Sequence, residues 1–133
     1  MADFPPLGHV ALTVRSCDAS KDWYCTVFGF EPVLDEDAGP WRHVVWALPG
    51  GTLIGIHEHP GKTPRHDRFD AYRVGLDHVS FHCFSRDEVQ DWADRLDAIG
   101  VGHGPIEDAH YGSGLAFRDP DGNALEFFAA AAG

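Results

Sequence analysis

Two stretches of the chain alternate cleanly between apolar and polar side chains. In Gly8–Val14, Val10, Leu12 and Val14 fall on one face of an extended segment, and His9, Ala11 and Thr13 on the other. In Leu76–Cys83, Val79, Phe81 and Cys83 oppose His78, Ser80 and His82. Such period-two alternation marks a strand with one buried face. Behind each strand the period lengthens to that of a helix. Ser16 or Asp18 can cap a helix from about Asp18 to Phe28, with Trp23, Tyr24, Val27 and Phe28 at helical spacing and Gly29 at its stop. Ser85-Arg86-Asp87-Glu88 is a capping-box sequence. It opens a helix that runs to about Ile99, with Val89, Trp92, Leu96 and Ile99 as its apolar stripe and Gly100 beyond its end.

The segments after each helix complete the pattern. The first half continues with a short strand over Phe30–Leu34, an acidic loop over Asp35–Pro40, a strand over Trp41–Leu48, a Pro49-Gly50-Gly51 turn and a strand over Thr52–His57. The second half continues with weaker strands near 103–109 and 113–118. A tight Asp119-Pro120-Asp121-Gly122-Asn123 turn and a last strand over Asn123–Phe128 follow. The order is βαβββ, twice. Residues 58–75, with prolines, glycines and the basic Lys62, Arg65, Arg68 and Arg73, read as a linker. The expectation is an α+β fold in one domain over residues 1–133: a module at about 7–57, the linker, and a module at about 76–129.

The halves are copies. His9 and His78 are 69 positions apart, as are Asp22 and Asp91, and Trp23 and Trp92. Further on the offset becomes 71, pairing Gly29 with Gly100, Pro49 with Pro120, and Gly51 with Gly122. Ordered matches at two neighbouring offsets indicate an internal duplication. It puts His9 and His78 in equivalent places, and maps Glu126 onto Gly55 and Phe128 onto His57.

Glu126 is the anomaly of the last strand. It shares a face with Ala124 and Phe128, while Leu125 and Phe127 face the other way. A carboxylate in an otherwise apolar strand needs a cation or a metal. If each module packs its helix on the apolar face, the remaining faces carry His9, His57, His78, His82 and Glu126 among small residues. Two imidazoles and a carboxylate, His9, His78 and Glu126, can hold a divalent metal and leave positions open for a substrate. Taken singly, either histidine reads as a hydrogen-bonded residue at a sheet edge; the three together favour the metal. His/Glu ligation suits Fe, Mn, Ni, Co and Zn alike. His57, His82 and Tyr111 are candidate proton-handling or substrate-binding groups. Trp41, Trp46 and Phe128 are candidate aromatic walls. His43, His59, His66, His103 and His110 are expected on loops or outer faces.

Composition narrows the partners. The 133 residues hold 21 acidic against 10 basic side chains, a formal charge of −11. That disfavours nucleic acid and anionic membrane surfaces. No apolar run approaches the roughly 20 residues of a membrane helix, and the N-terminus lacks the features of a signal peptide. Cys17, Cys25 and Cys83 form neither a C-x-x-C pair nor an even set. Reduced thiols in a cytoplasmic protein are the expectation.

The stretches His9–Val14, Tyr24–Phe30, Leu76–Phe81 and Phe117–Phe128 together resemble the vicinal oxygen chelate superfamily. This group includes glyoxalases, extradiol dioxygenases, fosfomycin-resistance transferases and bleomycin-resistance proteins. The resemblance spans nearly the whole chain. It implies paired βαβββ modules forming a U-shaped mixed sheet around a divalent metal, with ligands at His9, His78 and Glu126. A substrate would chelate that metal through neighbouring oxygens, and the metal would stabilise an enediolate, a catecholate or an alkoxide. It also implies a homodimer, in which a site can draw on two subunits.

The chain departs from the glyoxalase I pattern, which places a fourth ligand, a glutamate, where Gly55 stands. His57, on the same face, could substitute or act as an acid/base group. The acidic balance does not favour a phosphonate substrate, and one pair of modules is fewer than extradiol dioxygenases usually carry. Two functions are therefore expected to compete. One is a small metal-dependent lyase, isomerase or ring-cleaving dioxygenase. The other is a metal-independent drug- or metabolite-binding protein of the bleomycin-resistance kind.

Overall fold

Each half of the chain builds one helix on one four-stranded mixed sheet. The computed structural model describes residues 3–38 and 40–132, with Ala38 and Trp41 described by their backbone alone. Contacts divide it into two units, Met1–Asp67 and Arg68–Gly133, and the division falls inside the expected linker.

The first unit holds β1 (His9–Thr13), α1 (Cys17–Phe28), β2 (Leu34–Ala38), β3 (Trp41–Ala47) and β4 (Leu53–Glu58), in sheet order β1-β4-β3-β2. Parallel pairing of β1 with β4 requires a crossover, which α1, β2 and β3 supply. Ser16 caps α1 by accepting from the Ala19 N–H at 3.1 Å, and Gly29 ends it at φ 84°. Such a positive φ is cheap for glycine alone.

The second unit repeats the scheme with β5 (Val79–Cys83), α2 (Arg86–Ala98), β6 (His103–Ala109), β7 (Gly112–Arg118) and β8 (Ala124–Ala130), in order β5-β8-β7-β6. Ser85 accepts from the Glu88 N–H at 3.2 Å, and Glu88 accepts from the Phe84 N–H at 2.7 Å. The register carries the duplication to single residues. Ala11 pairs with Gly55 across β1 and β4, and Ser80 pairs with Glu126 across β5 and β8.

One correction concerns residues 30–40. The strand begins at Leu34 and runs through Asp35, Glu36 and Asp37, which were expected to form a loop. Two of its three acids are matched from outside the strand. Lys21 meets Asp35 at 2.7 Å, Arg42 also reaches Asp35, and His43 meets Glu36 at 3.0 Å. An acidic edge strand is stable when neighbouring strands and helices supply the counter-charges.

The helices cover one face of each sheet. In the second unit, Trp92 of α2 stacks on Phe127 at 4.4 Å, and Phe127 stacks on Phe117 at 5.0 Å. In the first, Tyr24 and Phe28 of α1 pack on Trp46 at 5.6 and 5.5 Å. This overturns the expectation that Trp46 walls a ligand pocket. Trp46 pairs with Ile54, so it shares the face of Val44 and Ile56 beneath α1, where it is fully buried. Trp41, the other tryptophan expected as a wall, has its side chain outside the described residues. Replacing Trp46 by alanine should therefore cost about 3–5 kcal/mol of folding stability, read by denaturant titration. A loss below about 1 kcal/mol would mean that the ring is not a core anchor.

Candidate metal centre

The face of each sheet turned away from its helix carries the polar side chains. In the second unit, Ser80 and His82 of β5 lie beside Glu126 and Phe128 of β8, with Ala116 and Gly114 of β7 next in line. Glu126 is half-buried, and its surroundings are specific. The Ser80 hydroxyl donates to Glu126 Oε1 at 3.0 Å, and His78 Nε2 lies 3.6 Å from the same oxygen. The other ring nitrogen, His78 Nδ1, sits 2.7 Å from the Asp77 carboxylate. A carboxylate only accepts, so Nδ1 is the donor in that contact, and Nε2 is the ring nitrogen turned toward Glu126. A histidine whose far nitrogen is fixed by a carboxylate is oriented as a metal ligand usually is.

Glycine makes room for this carboxylate. A Cβ at Gly114 would stand 3.0 Å from Glu126 Oε2 and 3.6 Å from the Phe128 ring. At Gly112, φ is 153° and a Cβ would collide with the Ala129 carbonyl and the Phe128 ring. Phe128 stacks in turn on Tyr111 at 6.0 Å, and His82 meets Phe84 edge-on at 4.8 Å. The expected substrate-side residues His82, Phe128 and Tyr111 thus sit on or beside the open face of the second sheet. Tyr111 lies in the turn between β6 and β7 and is largely exposed.

In the first unit the open face carries a row running Thr13, His57, His43 and Glu36 across β1, β4, β3 and β2. His43 and His57 meet edge-on at 5.2 Å, and His43 Nε2 donates to Glu36 at 3.0 Å. His43 is no outer-face residue, as the sequence led us to expect. Its strand register sets it directly opposite His57. His103 also lies in a strand, with its ring nitrogens 2.6 Å from the Gly104 carbonyl and 2.8 Å from Asp97. These contacts tie β6 to the end of α2, and they raise its pKa, first through the Gly104 carbonyl. His9 and Gly55 occupy the face expected of them, with His9 exposed at the start of β1.

The residues of the second unit suit a divalent ion. An imidazole nitrogen and a carboxylate converge, a neighbouring carboxylate holds the imidazole, and glycine leaves the carboxylate space. Among the described residues, no three or more His, Cys, Asp or Glu side chains are gathered as a ready cation cage. Of the three expected ligands, His78 and Glu126 meet within the second unit, and His9 belongs to the other. The cysteines offer nothing here: burial pushes the Cys17 and Cys83 thiols up to about 11, away from thiolate.

Together, fold and side chains define a class: two βαβββ modules whose open faces hold imidazoles and carboxylates. The family model described as the glyoxalase/bleomycin resistance protein/dioxygenase superfamily matches residues 7–127. The chain belongs to that superfamily. It is 30% identical to a catechol-2,3-dioxygenase of Bacillus subtilis over 92% of its own length, and spans only 41% of that relative. It is also 30% identical to a glyoxylase I 4 of Arabidopsis thaliana, over 90% of this chain and 68% of the relative. Among solved structures, a glyoxylase/bleomycin resistance protein/dioxygenase domain from Frankia matches at a TM-score of 0.85. It is 33% identical, over 97% of this chain and all of that one. The fosfomycin resistance protein FosX of Listeria monocytogenes, solved with Mn(II) and sulfate, shares the fold at a TM-score of 0.70. Its identity is 20%, over 97% of this chain and 93% of that one. No helix among the described residues is long and apolar enough to cross a membrane.

Burial lowers the His57 pKa below its ordinary 6.5, and His43, His59 and His9 push it the same way. The folded protein therefore keeps His57 neutral at a pH where the unfolded chain protonates it. Its stabilising contribution is present above about pH 6.5 and is lost as pH falls through the folded value. A titration of the His57 ring by NMR should give a midpoint below 6.5. His43→Gln should raise that midpoint without fully restoring it, because burial remains; an unchanged midpoint would contradict the pairing.

Proposed function

We propose that the protein is a small metal-dependent enzyme acting on a substrate that binds the metal through two neighbouring oxygens. The reaction would be that of a lyase, an isomerase or a ring-cleaving dioxygenase. The observation that carries this reading is the convergence of His78 Nε2 and Glu126, with Asp77 holding the imidazole and Ser80 the carboxylate. His9 would complete the ligand set, from the same chain or from a second copy in a homodimer. Fe, Mn, Ni, Co and Zn all suit these ligands. The names of the relatives, a dioxygenase and a glyoxylase, support an enzyme. The Mn(II) bound by the Listeria protein is in keeping with the proposed cofactor.

A divalent ion bound there supplies Lewis-acid stabilisation of a substrate oxygen as it gains negative charge. The remaining work falls to the chain. Asp77 and Ser80 orient the two ligands of the second unit. His57, kept neutral at neutral pH, can accept a proton from the substrate and return it. Phe128 and Tyr111 offer an aromatic surface on the same open face for the substrate to lie against, and His82 stands next to it. A cytoplasmic location and a small-molecule substrate complete the reading.

A second reading, a metal-independent binding protein, is favoured by the Tyr111–Phe128 stack, which could hold a planar ligand without any ion. Metal analysis of protein purified without chelator separates the two. The enzyme reading expects about one divalent ion per chain in the wild type and loss of most of it in His78→Ala. It also expects activity that chelator abolishes and added metal restores. A metal-free protein that binds its ligand equally well with and without chelator would favour the second reading.

A further inference from the structure

The metal-ligand pair opens into a cavity of about 780 Å³ whose lining residues all belong to the second unit. His78 and Glu126 stand on its wall with Asp77; Ala116 and Ala124 form a low floor; Arg118 closes the other side. Strand register gives the spacing. Arg118 pairs with Ala124, and Ala116 with Glu126, so Arg118 and Glu126 share the open face one pair apart. His78 immediately precedes β5, whose Val79 pairs with Leu125, which puts His78 level with Ala124 on the far side of β8. Neighbouring strands are about 4.8 Å apart. The backbones at His78 and Arg118 therefore lie about 10 Å from each other, with only the Ala124 methyl between them.

Arg118 is unlike the cations that have carboxylate partners. Lys21, Arg42, Arg73 and Arg86 each meet an Asp. Among the described residues Arg118 has no carboxylate; it donates one bond, from Nη1 to the Gly122 carbonyl at 2.9 Å. That bond steadies the guanidinium at the 119–123 turn. Most of its five donors remain for a planar anion. In a chain of net charge −11, a steadied guanidinium without a counter-ion on the cavity wall is a selective feature. Asp77 and Glu126 are engaged with His78, and Glu126 also with Ser80.

We infer that Arg118 binds a carboxylate of the substrate, so that the natural ligand is a vicinal-oxygen compound carrying a carboxylate a few bonds from its chelating oxygens. This rests on the proposed function for the position of those oxygens, and adds the class of substrate. The oxygens would lie toward His78 and Glu126, the substrate body over Ala116 and Ala124, and the carboxylate against Arg118. Arg118 then sets specificity and takes no part in proton transfer.

Two catechols with similar ring electronics test this: 3,4-dihydroxybenzoate and 3,4-dihydroxybenzamide, titrated calorimetrically into Mn(II)-loaded and chelator-treated protein. The benzoate should bind the loaded wild type about tenfold more tightly than the benzamide, the scale of one charge-assisted hydrogen-bonded pair. In Arg118→Gln that preference should fall below about threefold with benzamide affinity unchanged. Arg118→Lys, which keeps the charge and loses the planar fork, should fall between. Equal affinities in the wild type, or a preference retained in Arg118→Gln, would overturn the role of Arg118. If removal of metal leaves both affinities unchanged, the chelation reading fails instead, and Arg118 is still judged by the benzoate preference. If neither compound binds either form, both fail.

Discussion

Everything proposed for this protein depends on a carboxylate set into the middle of a strand. Glu126 stands on β8 between Leu125 and Phe127, both buried in the core of the second unit. Strand geometry turns it to the opposite face, so the core stays dry while the acid reaches the open side. The charge is not left alone there. Ser80, its register partner on β5, donates to it, and His78 approaches the same oxygen. Gly114 on β7 gives the carboxylate its volume. Strand pairing thus sets the carboxylate's surroundings: Ser80 and His78 at Oε1, and Gly114 beside Oε2.

The duplication explains why such a site is possible. Each half buries an aromatic cluster under its own helix, around Trp46 in one and Phe127 in the other. With stability vested in those faces, the opposite faces can carry polar groups whose placement answers to chemistry. The two copies have used that freedom differently. Where the second sheet has Ser80 beside Glu126, the first has Ala11 beside Gly55. Where the second has Phe128, the first has His57, facing His43 and Glu36. One open face brings His78 to Glu126 beside the stacked Phe128 and Tyr111, the other carries a row of imidazoles ending on a carboxylate.

Much of this was legible in the residues. Period-two alternation located β1 and β5, capping residues located both helices, and the offset between copies placed His9, His78 and Glu126 on faces turned away from the helices. What was missed follows from one cause: pairing partners are not visible in a single strand. The acids from Asp35 onward looked like a loop because the counter-charges of Asp35 and Glu36, on Lys21, Arg42 and His43, lie elsewhere in the sequence. Trp46 looked like a pocket wall because the face of β3 could not be fixed until its register with Ile54 was known. The same register puts His43 opposite His57. Arg118 drew no notice because its isolation from carboxylates is a property of space alone. Asp77, next to His78, was in plain view, and its role follows only from the 2.7 Å contact.

The central claim is that Glu126 and His78 converge in order to hold a cation, with His9 as the third ligand. An anomalous difference map from crystals grown with Mn(II), recorded on both sides of the manganese edge, tests it most directly. The account predicts a peak within coordination distance of His78, Glu126 and a His9 imidazole from either chain, with Asp77 still on His78 Nδ1. A fully bound crystal with no peak there, or with manganese held by other residues while Glu126 stays on Ser80, would contradict it.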